Sequence, residues 1–166
     1  MAKEIRVALS DKGIAQAIKE LREYADWVRT KEIELRTRLA EIGMNVASIQ
    51  FSGATYQGKN DVTVRVDDTG SVAVIYAEGE SVAFIEFGSG AKYGYGHPLA
   101  GELGVGPGTY SMSEELGGKG HWDDPKGWWF EHGQHTYGNP PAMAMYKAVK
   151  EITENVTRIA MEVFSH

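Results

Sequence analysis

Phe84-Ile85-Glu86-Phe87-Gly88-Ser89-Gly90 closes a run of strand-like segments, and Gly138-Asn139-Pro140-Pro141-Ala142-Met143-Ala144-Met145-Tyr146-Lys147-Ala148 opens an apolar-striped one. Between the two blocks lie about fifty residues rich in glycine, histidine and tryptophan, with neither a helical nor a strand period. That is far longer than the irregular connections compact domains normally hold. Such a stretch needs cover, from the domain's own sheet or from a neighbouring molecule.

Working back from Phe84, residues 62–66, 71–77 and 81–87 read as three strands. The connections Asp67-Asp68-Thr69-Gly70 and Glu78-Gly79-Glu80 are short enough to force antiparallel neighbours, which gives a meander. Val72, Val74 and Tyr76 face one way and Ala73, Ile75 and Ala77 the other, so both faces of the middle strand want cover. Residues 44–51 alternate enough for a further strand, with a continued helix as the competitor, and residues 4–9 alternate weakly as a short strand.

Ser10 or Asp11 can cap a long helix over 11–42, about 45 Å at 1.5 Å per residue. Its seam is Ile14, Ile18, Leu21, Ala25, Val28, Leu35, Leu39 and Ile42, broken only by Glu32, where the helix is expected to change partners. Glu32 with Arg36 and Glu34 with Arg38 are pairs suited to a solvated face, and Gly43 is the expected stop. Pro141 suits the first position of a terminal helix over 141–164, striped by Met145, Val149, Ile152, Val156, Ile159 and Val163. Two helices segregated from an antiparallel sheet make the class α+β.

The chain has 166 residues, a comfortable single domain that buries roughly 70% of its unfolded surface. Hydrophobic residues at 42% and charged residues at 24% are ordinary globular values and argue against disorder. A formal charge of −6 with no basic run argues against a dedicated nucleic-acid binder, although DNA can pass nearby ungripped. No window is apolar enough for a bilayer span, and Met1-Ala2-Lys3-Glu4-Ile5-Arg6 lacks the apolar core of a signal peptide, so synthesis in the cytosol is expected. The absence of cysteine removes disulfides and thiolate zinc sites.

Candidate chemistry is sparse. His132 and His135 are spaced HxxH, and His97 and His121 share the insert, but the pattern lacks the HExxH register of a helical zinc site. Glu86 is the one carboxylate placed for acid–base work, and the plainer role for a strand-end Glu is to accept amide hydrogen bonds. Asp124-Pro125-Lys126-Gly127 reads as a type I turn. Neither Gly88-Ser89-Gly90 nor Gly104-Val105-Gly106-Pro107-Gly108 has the spacing of a phosphate loop. Catalytic residues, metal and cofactor are therefore all expected to be none. The aromatic load of the insert, with Trp122, Trp128, Trp129, Phe130 and Tyr137, suits covering the sheet and docking against neighbours better than a sugar platform. These five and Glu86 are the candidate interface residues.

Five pieces in order over nearly the whole chain carry a resemblance: Leu39-Ala40-Glu41-Ile42-Gly43 ending the long helix, Asn60-Asp61-Val62-Thr63-Val64, the Phe84 block, Lys126-Gly127-Trp128-Trp129-Phe130, and the Gly138 block with its helix. Their order and spacing resemble the tail-completion, or head-to-tail joining, proteins of long-tailed phages, the family of gene product ten of phage Hong Kong ninety-seven. The long insert over 91–138 looks like the version found in phages and prophages of Gram-positive hosts. The resemblance implies a non-enzymatic virion protein, assembled in the bacterial cytoplasm as a ring at the neck. Its implied partners are a head-side connector or stopper and a tail terminator or tail tube. No membrane is involved, and DNA passes through without sequence-specific binding. The alternatives are a glycan or cell-wall binding module and a zinc-dependent hydrolase, both using the His- and Trp-rich insert.

Overall fold

A computed structural model describes residues 8, 10–93, 96–103, 124–129 and 135–165. Helix α1 spans Asp11–Ser52, capped at its start by the Ser10 hydroxyl, which accepts from the Gly13 amide at 3.2 Å. At 1.5 Å per residue it is about 63 Å long. The strand expected over 4–9 lies outside the described residues, Ala8 apart.

Gly43 does not stop this helix. It is buried inside α1, where an added Cβ would stand 2.5 Å from Ile75 Cδ1 and 2.6 Å from Ile152 Cδ1. The glycine is there for close approach, and the packing it permits offsets its helix penalty of about 1 kcal/mol. The strand expected over 44–51 is likewise helix. Ala40, Gly43, Ala47 and Phe51 are its buried residues there, a three-four spacing that belongs to a helix and not to a pleat. The helix ends where Gly53 N–H donates to Ile49 O and Asn60 Nδ2 donates to Phe51 O, satisfying two of its last carbonyls, and the same Asn60 nitrogen donates to Ala54 O just beyond.

Strands β1 (Thr63–Asp67) and β2 (Val74–Glu78) pair antiparallel, with Thr63 opposite Glu78 and Asp67 opposite Val74. Arg65 crosses the sheet to Glu78 through two 2.8 Å hydrogen bonds and lies over the Tyr76 ring. The hairpin tip is fastened to α1, since Asp68 accepts from Arg36 Nε at 2.5 Å and from the Thr37 hydroxyl at 2.6 Å. Val72, assigned above to the middle strand, is exposed in the connection.

The expected third strand over 81–87 is a six-residue helix, α2 (Val82–Phe87). Two features turn the chain into it. Gly79 adopts φ +145°, and the Asp61 carboxylate accepts the amides of Glu80 (2.7 Å) and Ser81 (3.1 Å). Five of its six residues are apolar, so the segment carries no period to tell helix from strand. The sheet is therefore a hairpin and not a meander.

A second small antiparallel pair joins β3 (Trp128–Trp129) to β4 (His135–Thr136). It follows the expected turn at Asp124, closed by Gly127 N–H to Asp124 O at 2.9 Å. Helix α3 (Ala144–Phe164) runs antiparallel along α1, as four contacts in sequence show: Lys147 with Gln50, Ile152 beside Gly43, Glu162 with Arg38, and Phe164 against Trp27. Pro141 lies outside it, because the chain first passes Met143 in the left-handed region (φ 55°, ψ 41°). Ala47, Phe51, Ile85, Ala144 and Ala148 form the core where α1, α2 and α3 meet. The chain is α+β, with a long N-terminal helix, a C-terminal helix and two small antiparallel sheets.

Candidate functional site

The two blocks that open the sequence reading meet and are stitched together. Asn139 donates from Nδ2 to Phe84 O at 2.8 Å, and its carbonyl accepts the Ser89 amide at 2.9 Å. Ser89 Oγ donates to Asn139 Oδ1 at 2.5 Å and accepts the Asn139 amide at 3.2 Å. Ala142 N–H then donates to Ile85 O and Met143 N–H to Glu86 O, so the last turn of α2 hands its carbonyls to the approach of α3. Gly88 (φ +77°) and Gly138 (φ +91°) are required twice over, by their left-handed backbone and by lack of room. A Cβ on Gly88 would stand 2.8 Å from Asn139 O, and one on Gly138 would collide with Ser89 O.

Glu86 sits at the centre, buried. Its Oε2 accepts the Met145 amide at 2.9 Å, and its Oε1 accepts the Tyr146 amide at 3.0 Å and faces His97 Nε2 at 3.2 Å. Met143, the residue preceding α3, provides no side-chain cap. The carboxylate of α2 does that work from across the junction, and an anion at a helix N-terminus also meets the favourable end of the dipole. The expectation that Glu86 accepts backbone amides is met, although they belong to a helix and not to the insert.

His97 is buried against Phe87 and Tyr146, at ring-centroid distances of 4.5 and 5.6 Å. Leu99 N–H donates to its Nδ1 at 3.1 Å, so Nδ1 is the acceptor nitrogen and Nε2 carries the hydrogen given to Glu86. Both ring nitrogens and both carboxylate oxygens are thus engaged. A cavity of about 420 Å³ opens beside the pair, walled by Ala77, Val82, Phe87, Leu99, Leu103 and Val149. Glu86, His97 and Tyr146 also line it, and acid–base work there would need a lone pair or proton not already engaged within the junction.

The other candidates separate. Trp128 is buried within the chain, its ring edge where a Cβ on Gly90 would stand 2.8 Å away. Glu86 is buried as well. Trp129 and Tyr137 are each 48% exposed and flank His135 at 4.7 Å, with interplanar angles of 60° and 82°. Each ring stands edge-on to His135. His135 Nε2 donates to Lys126 O at 2.9 Å. Trp122, Phe130, His121 and His132 lie outside the described residues. Among the described residues no three His, Cys, Asp or Glu are grouped to hold a metal ion, and no helix is long and apolar enough to cross a membrane.

Sequence reasoning missed His97 as the partner of Glu86, Ser89 and Asn139 as the stitch, and Asp61 and Asp68 as clamps. The Ser81 hydroxyl, followed by the Glu80 amide, holds the Asp61 carboxyl below the ordinary range, and the Thr37 hydroxyl followed by Arg36 does so for Asp68. The only signal for any of them was position: Asp61 directly precedes a strand, and Asn139 directly precedes the proline pair. No known family model, curated protein or solved structure matches the chain.

Proposed function

We propose that the chain is a non-enzymatic structural subunit of a phage neck or tail, a tail-completion or head-to-tail joining protein that assembles as a ring between the head connector and the tail tube. The observation that supports this reading is the fate of Glu86. The residue best placed for chemistry has both carboxylate oxygens engaged, by two α3 amides and His97, at the seam between two of the blocks that carry the resemblance. A subunit of this kind needs a rigid junction and free outer surfaces, and has no use for a poised acid or base.

The test is deletion of the gene from the phage or prophage that carries it. DNA-filled heads and separate finished tails should accumulate, and purified protein added to the lysate should join them. Normal joined particles from the deletion strain would sink the reading.

A further inference from the structure

Residues 97–103 are tied to the helices through one aromatic ring. The His97 side chain is 2% exposed and lies between the Glu86 carboxylate at 3.2 Å and the Leu99 amide at 3.1 Å. Two further hydrogen bonds run within the segment, from Ala100 N–H to His97 O and from Leu103 N–H to Leu99 O. Among the described residues, the His97–Glu86 bond is thus the segment's sole hydrogen bond to α2 or α3. The chain entering the segment is seated at Gly96, where an added Cβ would stand 3.0 Å from Pro141 Cγ, so the part left to move lies beyond the ring.

The two nitrogens of that ring answer acid in opposite ways. Nδ1 accepts the Leu99 N–H only while it keeps its lone pair. A proton taken from solvent occupies that lone pair, and two N–H groups would then face each other, so the Leu99 amide has to leave. Nε2 keeps its hydrogen throughout, and its contact with the Glu86 carboxylate gains a full cationic charge, which strengthens it. The titratable groups that face the ring are Glu86 from α2 and Tyr146 from α3, with the Phe87 ring beside them. Among the described residues no lysine or arginine lines the adjoining cavity to oppose the new charge.

We propose that His97 is a proton-operated latch: acid frees the Leu99 amide from Nδ1 while Nε2 stays on Glu86, so the cavity wall at Leu99 moves and the junction of α2 with α3 does not. Proton uptake and release are one event, because the Leu99 amide covers Nδ1 when the latch is shut. Each opened molecule takes up one proton, so the open population rises about tenfold for each pH unit lost, until the open form predominates. Glu86 keeps the Met145 and Tyr146 amides in both states. The latch is a property of the fold and does not depend on the neck reading.

The test is NMR on the full-length protein, with the pH lowered in steps to the edge of acid unfolding. The His97 ring and the Leu99 amide should titrate with one midpoint. Hydrogen exchange at Leu99, corrected for the intrinsic rate, should report an opening constant that rises about tenfold per pH unit on the way down to that midpoint. The Met145 and Tyr146 amides should hold their protection throughout. In His97→Gln, which cannot take the proton, Leu99 opening should be flat with pH, and if that variant does not fold the wild-type traces decide by themselves. A ring that stays neutral down to acid unfolding would overturn the proposal, as would a Leu99 amide that ignores the ring's titration. So would Met145 and Tyr146 amides that open along with it, or a folded His97→Gln protein in which Leu99 still opens with acid.

Discussion

Oε1 of Glu86 receives the Tyr146 amide at 3.0 Å and faces Nε2 of His97 at 3.2 Å, so a single oxygen ties the start of α3 to the segment that follows the second block glycine. Glu86→Gln keeps the shape but replaces one acceptor oxygen by an NH2 group, which then faces either an amide or the His97 N–H. Leaving one buried donor unmatched and losing a charged acceptor should cost about 2–4 kcal/mol in urea unfolding. If the proposed neck role holds, particles carrying the variant should still join at low temperature. Loss of joining with unchanged stability would instead mark Glu86 as functional in its own right.

Gly43 is where three elements converge, the hairpin through Ile75 and α3 through Ile152. On an isolated helix Gly43→Ala would gain about 1 kcal/mol. Here the new methyl meets two Cδ1 atoms at contact distances below 3 Å, and overpacking of this kind costs typically about 1–3 kcal/mol. The expected net is a loss of stability by thermal unfolding, partly restored by adding Ile152→Val. A stabilised Gly43→Ala single variant would refute the close approach.

The same glycine shows what the sequence could disclose. The two helices, the first hairpin and the turn at Asp124 were legible as periodic or local features, but the buried face was not: α1 buries Ala17, Ala40, Gly43, Ala47 and Phe51 while Ile14, Ile18 and Leu21 of the expected seam are exposed, and of the α3 stripe Ile159 and Val163 are buried while Val149 is exposed. Gly43 has the signature of a helix stop, and only the approach of Ile152, more than a hundred residues away, gives it another purpose. The α2 segment was unreadable for a different reason, since six nearly uniform apolar residues carry no period and the turn into helix is set by Asp61 from twenty residues upstream. Pro141 looked like a helix start because the true cap of α3 comes from Glu86, on another element. At the site, the two blocks were legible as important, while the atoms joining them were not.

Asp68 provides a pH test. The Thr37 hydroxyl first, then Arg36, hold its carboxyl below the ordinary value of 3.8. A carboxyl depressed in the folded state contributes stability above its unfolded pKa, about 3.9, and loses it as pH falls through the folded value. The urea midpoint of wild type should therefore exceed that of Asp68→Asn at neutral pH, and the gap should close as pH drops below about 4. Thr37→Val should reproduce part of the neutral-pH loss. A gap that is constant down to strong acid would show that Asp68 acts through shape and not through its charge.

The last prediction contrasts the two halves of α1. Phe51 is wholly buried in the core shared with Ile85 and Ala148, so Phe51→Ala should cost about 3–5 kcal/mol. Leu35 and Leu39 are half-buried, and truncation to alanine should cost less than that, about 1–3 kcal/mol. Ile18 is open to solvent before α1 meets α3, so Ile18→Ala should change monomer stability by less than about 0.5 kcal/mol, helped by the better helix propensity of alanine. Amide exchange in the monomer should follow the same gradient. The amides of 11–26 should open by local fraying, and those around 40–51 only through global unfolding. Equal protection along the whole of α1 in a verified monomer would mean that its first turns are held within the chain, against the exposure of Ile14, Ile18 and Leu21.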